Sequence, residues 1–316
     1  MNISQIYKKI TDCKNTLFKN YCLFKVDNAY YGVDGDKKTV FVLESDNDNL
    51  QPLIQTTKEL RLLFNTRVVL KIEGEEQRKT VHILVCLSDD YSNIESFIRL
   101  TKAFIFESEK GEPVNICDFF KTLTKFFSPS NTDFNLIELQ GLYTELYTIY
   151  YFHQHGIQLN KYWHSNGKMK FDFSLGDKKR IEIKSTMREE RSHHFKHEQL
   201  ISYLYDIFIV SYKLRHSDNG LSLGKLLEYI YDIIADDYKA LALIGKYIHN
   251  VPRNELENIC FDNTYTQENI RFIQAKDVPK INACQPNGVF NVEYDSDLSL
   301  VQGNSLTDFI SWINSK

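Results

Sequence analysis

The chain is poor in the residues that build flexible linkers and disulfide frameworks. Its 316 residues include 6 Pro, 13 Gly and 6 Cys, against 19 Tyr and 21 Phe. Low-complexity runs and internal repeats are absent, which argues against a disordered or solenoid protein. The sequence also lacks an apolar run long enough to span a bilayer and the apolar centre of a signal peptide near residue 1. We therefore expect a globular cytoplasmic protein with no membrane partner.

The placement of the cysteines and the charge further limit the classes of protein to which the chain can belong. The cysteines are scattered without a close pair at metal-ligand spacing, which favours reduced thiols over disulfides or a zinc site. A net charge of -4 argues against a protein that coats nucleic acid indiscriminately. Residues 151–200 nevertheless contain ten Lys and Arg against six Asp and Glu, with six of the nine His. This basic segment could face a phosphate backbone, although a solvated surface of that charge is common.

Residue patterns predict an α/β chain in three parts. Residues 1–130 form an α+β region for substrate or partner recognition, residues 131–250 a core, and residues 251–316 a β-rich extension packed on that core. The predicted helices cover residues 2–19, 92–106, 116–127, 136–155, 221–234, 236–248 and 307–313. The predicted strands cover residues 21–26, 29–33, 39–43, 59–72, 80–87, 171–175, 180–183, 206–214, 270–274 and 289–294. Charged residues 73–79 are predicted as a turn.

The most informative stretch is residues 170–184, which are typical of a β-hairpin. Two apolar runs flank a polar turn at residues 176–179. Alternation places Glu182 and Lys184 on one face and Ile181 and Ile183 on the other. If Asp172 shares the polar face, two carboxylates and one lysine converge at the edge of a small sheet. Such a group can hold a divalent cation and an attacking water against a phosphate.

Acid-x-Lys triplets are common, and the chain contains internal comparisons. Four other triplets lie in Gly-containing turns or on helical stretches, where residues two apart do not share a face. Only the triplet ending at Lys184 lies in a β-rich apolar run. The amphipathic helix predicted before it carries Glu145 at the border of its apolar stripe. Glu145 could be a partly exposed helix residue, and Glu182 with Lys184 could be a surface ion pair.

Three histidines follow the hairpin, at His193, His194 and His197. They lack the cysteine or tightly spaced histidine partners of a metal site. We therefore interpret residues 193–200 as a histidine-rich strand or loop near phosphate rather than as metal ligands.

These features together resemble the PD-(D/E)XK phosphodiesterase superfamily. The ordered segments are residues 141–146 around Glu145, Trp163, residues 171–173 around Asp172, residues 181–186 and residues 198–200; residues 277–280 and 292–294 also fit. They are similar to a bacterial family of PD-(D/E)XK motif proteins, often encoded in phage-defence or restriction gene clusters. Phe171 stands where the motif has Pro. Gln199 and Tyr203 resemble the Gln-x3-Tyr element of RecB-type nucleases.

The resemblance implies a restriction-endonuclease-like core, an α-β-β-β-α-β mixed sheet flanked by helices. It implies a Mg2+-dependent endodeoxyribonuclease, with Mn2+ as a substitute, acting in restriction or anti-phage defence. Asp172, Glu182 and the carbonyl of Ile183 would bind the metal, and Glu145 would complete its shell directly or through water. Lys184 would orient or help deprotonate the attacking water. The expected contacts to DNA are Lys170, Arg180, Arg188, Lys196 and Gln199.

Two other classes stay open at this point. The chain could be a catalytically weak subunit that binds DNA or a partner ATPase, helicase or methyltransferase from the same gene cluster. It could also be a purely structural adaptor. A homodimer is a reasonable expectation for double-strand cutting, because two strands need two active sites.

Overall fold

The fold is described by a computed structural model that covers residues 1–16, 20–45, 50–72, 75–109, 115–128, 135–163, 170–248, 251–281 and 288–315. The chain divides into two compact units. The first comprises Met1–Asn131 and Ile234–His249, and the second comprises Thr132–Ile233 and Asn250–Lys316. Across the described residues, none of the helices combines the length and the apolar character that crossing a membrane requires.

The regular elements are numbered here in chain order. The helices are α1 Ile3–Lys14, α2 Tyr91–Glu109, α3 Ile116–Phe127, α4 Leu136–Gln154, α5 His197–Leu200, α6 Leu223–Ile233, α7 Tyr238–Ile248, α8 Arg253–Asn258, α9 Asn263–Glu268 and α10 Leu306–Asn314. The strands are β1 Tyr21–Val26, β2 Ala29–Asp34, β3 Thr39–Glu44, β4 Leu53–Thr56, β5 Leu60–Ile72, β6 Glu75–Cys86, β7 Phe173–Leu175, β8 Lys179–Thr186, β9 Ser192–Lys196, β10 Asp206–Lys213, β11 His216–Ser222, β12 Cys260–Phe261, β13 Arg271–Gln274 and β14 Glu293–Asp297.

The first unit is built on an antiparallel sheet in the order β1-β2-β3-β6-β5-β4. Strand β4 was not predicted, and all four of its residues are exposed, so it lacks the apolar alternation that marks a half-buried strand. The predicted turn at residues 73–79 is wrong for residues 75–79, which form the first part of β6. Pairing with β5 decides their conformation, because each polar residue there lies opposite a strand partner.

The second unit contains a mixed four-stranded sheet in the order β13-β10-β8-β7. The predicted hairpin is present, with β7 antiparallel to β8. Strand β10 runs parallel to β8 and antiparallel to β13, so this apolar strand lies inside the sheet, as its continuous hydrophobic run predicts. Strand β8 extends three residues beyond the predicted end at Ile183, because residues 184–186 also pair with β10.

Segments that are distant in sequence complete this unit. Helix α4 packs on β8 and on α6. Strand β13, from the predicted C-terminal extension, joins the core sheet, and β14 pairs with β9. Helix α10 covers the sheet, with Phe309 stacked on Phe272. Compared with the predicted boundaries, the extension is thus part of the core, and residues 234–249 belong to the first unit.

Two helix glycines make a matched test of packing. A Cβ on Gly245 of α7 would lie 1.7 Å from a ring carbon of Phe126, whereas a Cβ on Gly141 of α4 would meet nothing within 4 Å. We expect Gly245→Ala to destabilise the protein by about 1–3 kcal/mol through overpacking. Gly141→Ala should stabilise it by up to about 1 kcal/mol through helix propensity. Thermal unfolding checks both, and equal shifts in the same direction would contradict this packing.

Candidate active site

The hairpin register brings two predicted carboxylates face to face. Phe173 pairs with Ile181, so Asp172, one residue before β7, lies opposite Glu182 on β8. The Asp172 carboxylate accepts a hydrogen bond from the backbone N–H of Ile183, with Oδ2 2.6 Å from the nitrogen. This bond fixes one oxygen of Asp172 against the strand that carries Glu182. The expected shared polar face of the hairpin therefore exists.

Glu182 is the most buried member of the group, at 4% exposure. Its Oε1 lies 2.8 Å from Lys184 Nζ and accepts a hydrogen bond from Gln199 Nε2 at 2.6 Å. Lys184 Nζ also donates to Gln199 Oε1 at 3.4 Å. The other oxygen, Glu182 Oε2, is buried and has no hydrogen-bond partner among the described residues. Glu182 and Lys184 therefore form a buried pair with one carboxylate oxygen left over, rather than a surface ion pair.

Glu145 reaches the same carboxylate group from helix α4. It is half-buried, and its Oε2 accepts a hydrogen bond from Trp163 Nε1 at 2.8 Å. Trp163 is itself bridged to Phe173 of β7. Five residues before Glu145 on the same helix, Gln140 donates to the Ser185 hydroxyl at 3.0 Å, which ties α4 to the end of β8. Glu145 thus points toward the hairpin that follows it in sequence.

Burial and mutual repulsion disfavour the ionised form of these carboxyl groups. Desolvation, followed by the nearby Asp172 charge, raises the pKa of Glu182 to about 8. Desolvation also raises the pKa of Asp172 to about 6, against the opposing effect of the Ile183 N–H. The pKa of Glu145 is raised well above its usual value by desolvation and by Asp172. Perturbations of this kind in one cluster are typical of functional sites.

The donor set fits a hard divalent cation. Carboxylate and carbonyl oxygens are the ligands that Mg2+ and Mn2+ favour, and the unpartnered Glu182 Oε2 is a ready ligand. A cation would also offset three carboxylates that Lys184 alone cannot balance. In the part of the chain that the structure describes, no three His, Cys, Asp or Glu side chains are already arranged to hold a metal ion.

The predicted DNA contacts fall into two groups. Lys170 pairs with Glu198, and the Arg180 guanidinium is bonded to three carbonyls of its own turn and stacks on Tyr205. Lys196 and Arg188 are exposed. Arg188 lines a cleft of about 570 Å3 together with Glu145 and Lys184, and this cleft is large enough for part of a ligand.

Gln199 has a different position from the one predicted. Both ends of its buried amide are used inside the protein, since Nε2 donates to Glu182 and Oε1 accepts from Lys184 and from the N–H of Lys196. It is therefore a positioning residue for the carboxylate and the lysine rather than a surface contact to DNA. Helix α5 ends at Leu200, and Tyr203 is 98% exposed, so Gln199 and Tyr203 do not share a helix.

The three histidines lie on β9 and at the start of α5, in separate environments. His193 is buried against Ser211, with 2.7 Å between Nε2 and Oγ, and desolvation with nearby Arg191 lowers its pKa to about 3. His193 is therefore neutral and cannot neutralise a phosphate. His194 lies on the surface between Asp295 and Glu293, which raise its pKa. The histidine-rich strand exists, with His193 neutral and His194 paired with acidic side chains.

Two contributors were missed by sequence reasoning. Trp163 was noted only as part of the resemblance, yet its indole N–H holds Glu145. Arg191 is buried at 3% exposure and donates to the carbonyl oxygens of Ser211 and Asn269, which lie far apart in sequence. A single arginine in a polar stretch carries no signal of burial. Its burial depends on contacts with residues distant in sequence, which local patterns do not encode.

The fold and the site define an α/β protein with a buried carboxylate and lysine group of the PD-(D/E)XK type. A family model described as "Putative PD-(D/E)XK family member, (DUF4420)" matches residues 14–299, and the chain belongs to that family. This confirms the resemblance drawn from the motifs. Neither the curated proteins nor the solved structures contain a match.

The raised pKa of Glu182 predicts how stability changes with pH in the absence of metal. Its folded-state pKa of about 8 lies above the value of 4.5 in an open chain, so the folded state binds the proton more tightly. The stabilisation is present below pH 4.5 and is lost as the pH rises through 8. The quantity to compare, in EDTA, is the free energy of unfolding of the wild type minus that of Glu182→Gln. We expect this difference to decrease as the pH rises from 5 to 8. The slope should not exceed about 1.4 kcal/mol per pH unit.

Urea unfolding at several pH values measures this difference. Glu198→Gln, an exposed carboxylate of the same segment, is the matched control. A difference for Glu182→Gln that stays flat across the pH range would mean that the carboxyl group is not desolvated as described.

Proposed function

We propose that the chain is a metal-dependent DNA endonuclease that hydrolyses phosphodiester bonds. The observation that carries the proposal is the buried convergence of Asp172, Glu182 and Lys184, with Glu182 Oε2 left without a partner. Membership of the family supports it. The chain order α4, β7, β8, β10, α6, β13 also supports the restriction-endonuclease-like core that the motifs imply.

Asp172, Glu182 and the Ile183 carbonyl would hold Mg2+, for which Mn2+ can substitute. When bound, the cation would neutralise phosphate charge and lower the pKa of a bound water. Trp163 holds Glu145 Oε2, so Glu145 would complete the metal shell through its other oxygen, directly or through water. Lys184, held at 2.8 Å from Glu182 Oε1, would orient the attacking water and offset the charge that builds on the phosphoryl group. Gln199 would keep both side chains in this geometry.

Substrate contacts are proposed for the exposed cations around the carboxylates. Arg188 lines the cleft beside Lys184, and Lys196 immediately precedes the helix of Gln199. Lys170 would have to exchange Glu198 for a phosphate. Arg180 is the weakest of these candidates, because its guanidinium already donates to backbone carbonyls.

A second function has a specific observation in its favour. The Glu182 carboxylate is already bound to Lys184 and Gln199, and a three-residue metal group is not preassembled among the described residues. The chain could therefore be a weak nuclease subunit that needs a partner to open its site. The endonuclease proposal includes a setting in restriction or phage defence, a cytoplasmic location and a homodimer. Partners such as an ATPase, helicase or methyltransferase are proposed for either function.

Metal binding can be tested without cleavage. We expect Mg2+ or Mn2+ to raise the melting temperature, because a ligand that binds only the folded state adds about 2.7 kcal/mol at one hundred times its Kd. Asp172→Asn and Glu182→Gln should abolish the shift, since each removes a carboxylate ligand. Glu198→Gln should retain it. A shift of equal size in all four proteins would mean that the cation binds elsewhere.

Cleavage locates the catalytic group. We expect plasmid and phage DNA to be cut with Mg2+ or Mn2+ and not with EDTA. Glu182→Ala and Lys184→Ala should each lose at least about 100-fold in rate, because they remove a metal ligand and a transition-state contact. Lys178→Ala, an exposed lysine in the turn of the same hairpin, is the matched control.

Two outcomes would count against this assignment. Equal metal-dependent cutting by the wild type and Lys184→Ala would indicate that a different site, or a contaminant, is responsible. Wild-type protein that cuts nothing, even with candidate ATPase partners added, would favour the binding-subunit function.

A further inference from the structure

The β5–β6 hairpin of the first unit extends beyond the strands beside it. Pairing between β3 and β6 ends at Glu44 and Val81, and pairing between β4 and β5 ends at Phe64. From Arg67 and Thr80 outward, six registered pairs join β5 only to β6 within the described part of the sheet. This segment, residues 67–72 and 75–80, is a two-stranded ribbon and is called the ribbon below.

A bulge marks the base of the ribbon. The register shifts between Leu63 and Thr66, and Asn65 has a φ of 52°. Asn65 is buried, its N–H donates to His82 Nδ1 at 3.1 Å, and its amide donates to the Leu50 carbonyl at 2.5 Å. Bulges increase twist and redirect a strand. The ribbon therefore begins at a bulge whose conformation the surrounding contacts hold in place.

The two faces of the ribbon differ. Val68 and Leu70 face inward and pack against a buried apolar cluster that includes Val42 and Ile83. Alternate residues point the other way, and that outer face presents Arg67, Val69 and Arg78, all exposed. Val69 is 59% exposed and lies directly opposite Arg78. An apolar side chain between two arginines is thus held in water on a paired, regular backbone.

The charges at the base of the ribbon are not balanced. Within the described residues, neither Arg67 nor Arg78 pairs with a carboxylate, whereas Lys79 is bonded to Glu44 at 3.0 Å. Arg67 and Arg78 are diagonal neighbours, roughly 7–8 Å apart across the strands. They line, with Val69 and Lys79, an open cleft of about 720 Å3.

We propose that the outer face of this ribbon binds duplex DNA. A two-stranded ribbon fits the major groove, arginine binds phosphate in a bidentate manner, and an exposed aliphatic group can contact a thymine methyl. The uncompensated arginines favour a polyanion over a protein partner. This site extends the proposed function, on which it rests for the choice of DNA, by giving the first unit the substrate contact.

The test measures DNA binding by the full chain in EDTA, where metal-dependent cleavage does not occur. Fluorescence anisotropy with a 30-base-pair duplex is recorded over a range of salt concentrations. Arg67→Ala/Arg78→Ala should weaken binding at least about tenfold and reduce the salt slope by about 1.8, which is two phosphate contacts. Arg67→Lys/Arg78→Lys should keep most of the slope, because the charge remains.

Lys25→Ala/Lys58→Ala is the matched control, since it removes the same charge from exposed positions of the same unit outside the ribbon. Equal weakening in the control and in the arginine pair would mean that net charge alone is responsible, and it would overturn the proposal. Tighter binding to an RNA duplex than to DNA, or absence of wild-type DNA binding, would also overturn it. Binding that depends on the two arginines, without cleavage by the wild type, would support the ribbon site and contradict the proposed endonuclease. Cleavage by the wild type, with unchanged binding in the arginine variants, would support the endonuclease and contradict the ribbon site.

Discussion

The second unit depends on burying ionisable carboxylates beside a single cationic side chain. Glu182 is 4% exposed and shares Lys184 with Asp172 and Glu145, so the fully ionised group would carry more negative charge than Lys184 neutralises. Stability alone would favour apolar residues at such positions, because desolvation of a buried charge often exceeds the gain from its partner. The arrangement is explained if the missing charge comes from a cation. The raised pKa values and the unpartnered Glu182 Oε2 are two consequences of the same constraint.

The sheet supplies the rigidity that such a group needs. Strand β8 pairs with β7 as far as Ile181 and with β10 as far as Thr186, so the backbone of Glu182 and Lys184 is held by β10 and follows directly on the β7 ladder. Asp172 is fixed in turn by the N–H of Ile183. Gln199 reaches the pair from a single helical turn whose N-terminal residue, His197, bonds to the carbonyl of Val292. The site is therefore positioned by strand pairing first and by a side-chain amide second.

Local patterns predicted what depends on neighbours in sequence. Alternation in the hairpin placed Glu182 and Lys184 on one face. The position of Asp172 on that face was only a condition, which the observed pairing of Phe173 with Ile181 meets. The same reasoning failed where contacts between segments distant in sequence decide the structure. Residues 75–79 are charged enough to suggest a turn, yet pairing with an apolar strand makes them part of β6. The contact of Gln199 with Glu182, and the pairing of β14 with β9, join residues whose proximity no local period encodes.

Charge has opposite roles in the two units. The buried carboxylates of the second unit repel a phosphate backbone until a divalent cation is present, so any attraction there depends on that ion. The arginines of the ribbon are exposed cations, whose attraction to DNA depends on ionic strength and needs no metal. Binding and chemistry would then respond to different ions, with monovalent salt governing the first and a divalent cation the second. If both proposals hold, the protein would bind DNA without cutting it, and its cutting would be limited by the occupancy of the proposed metal site.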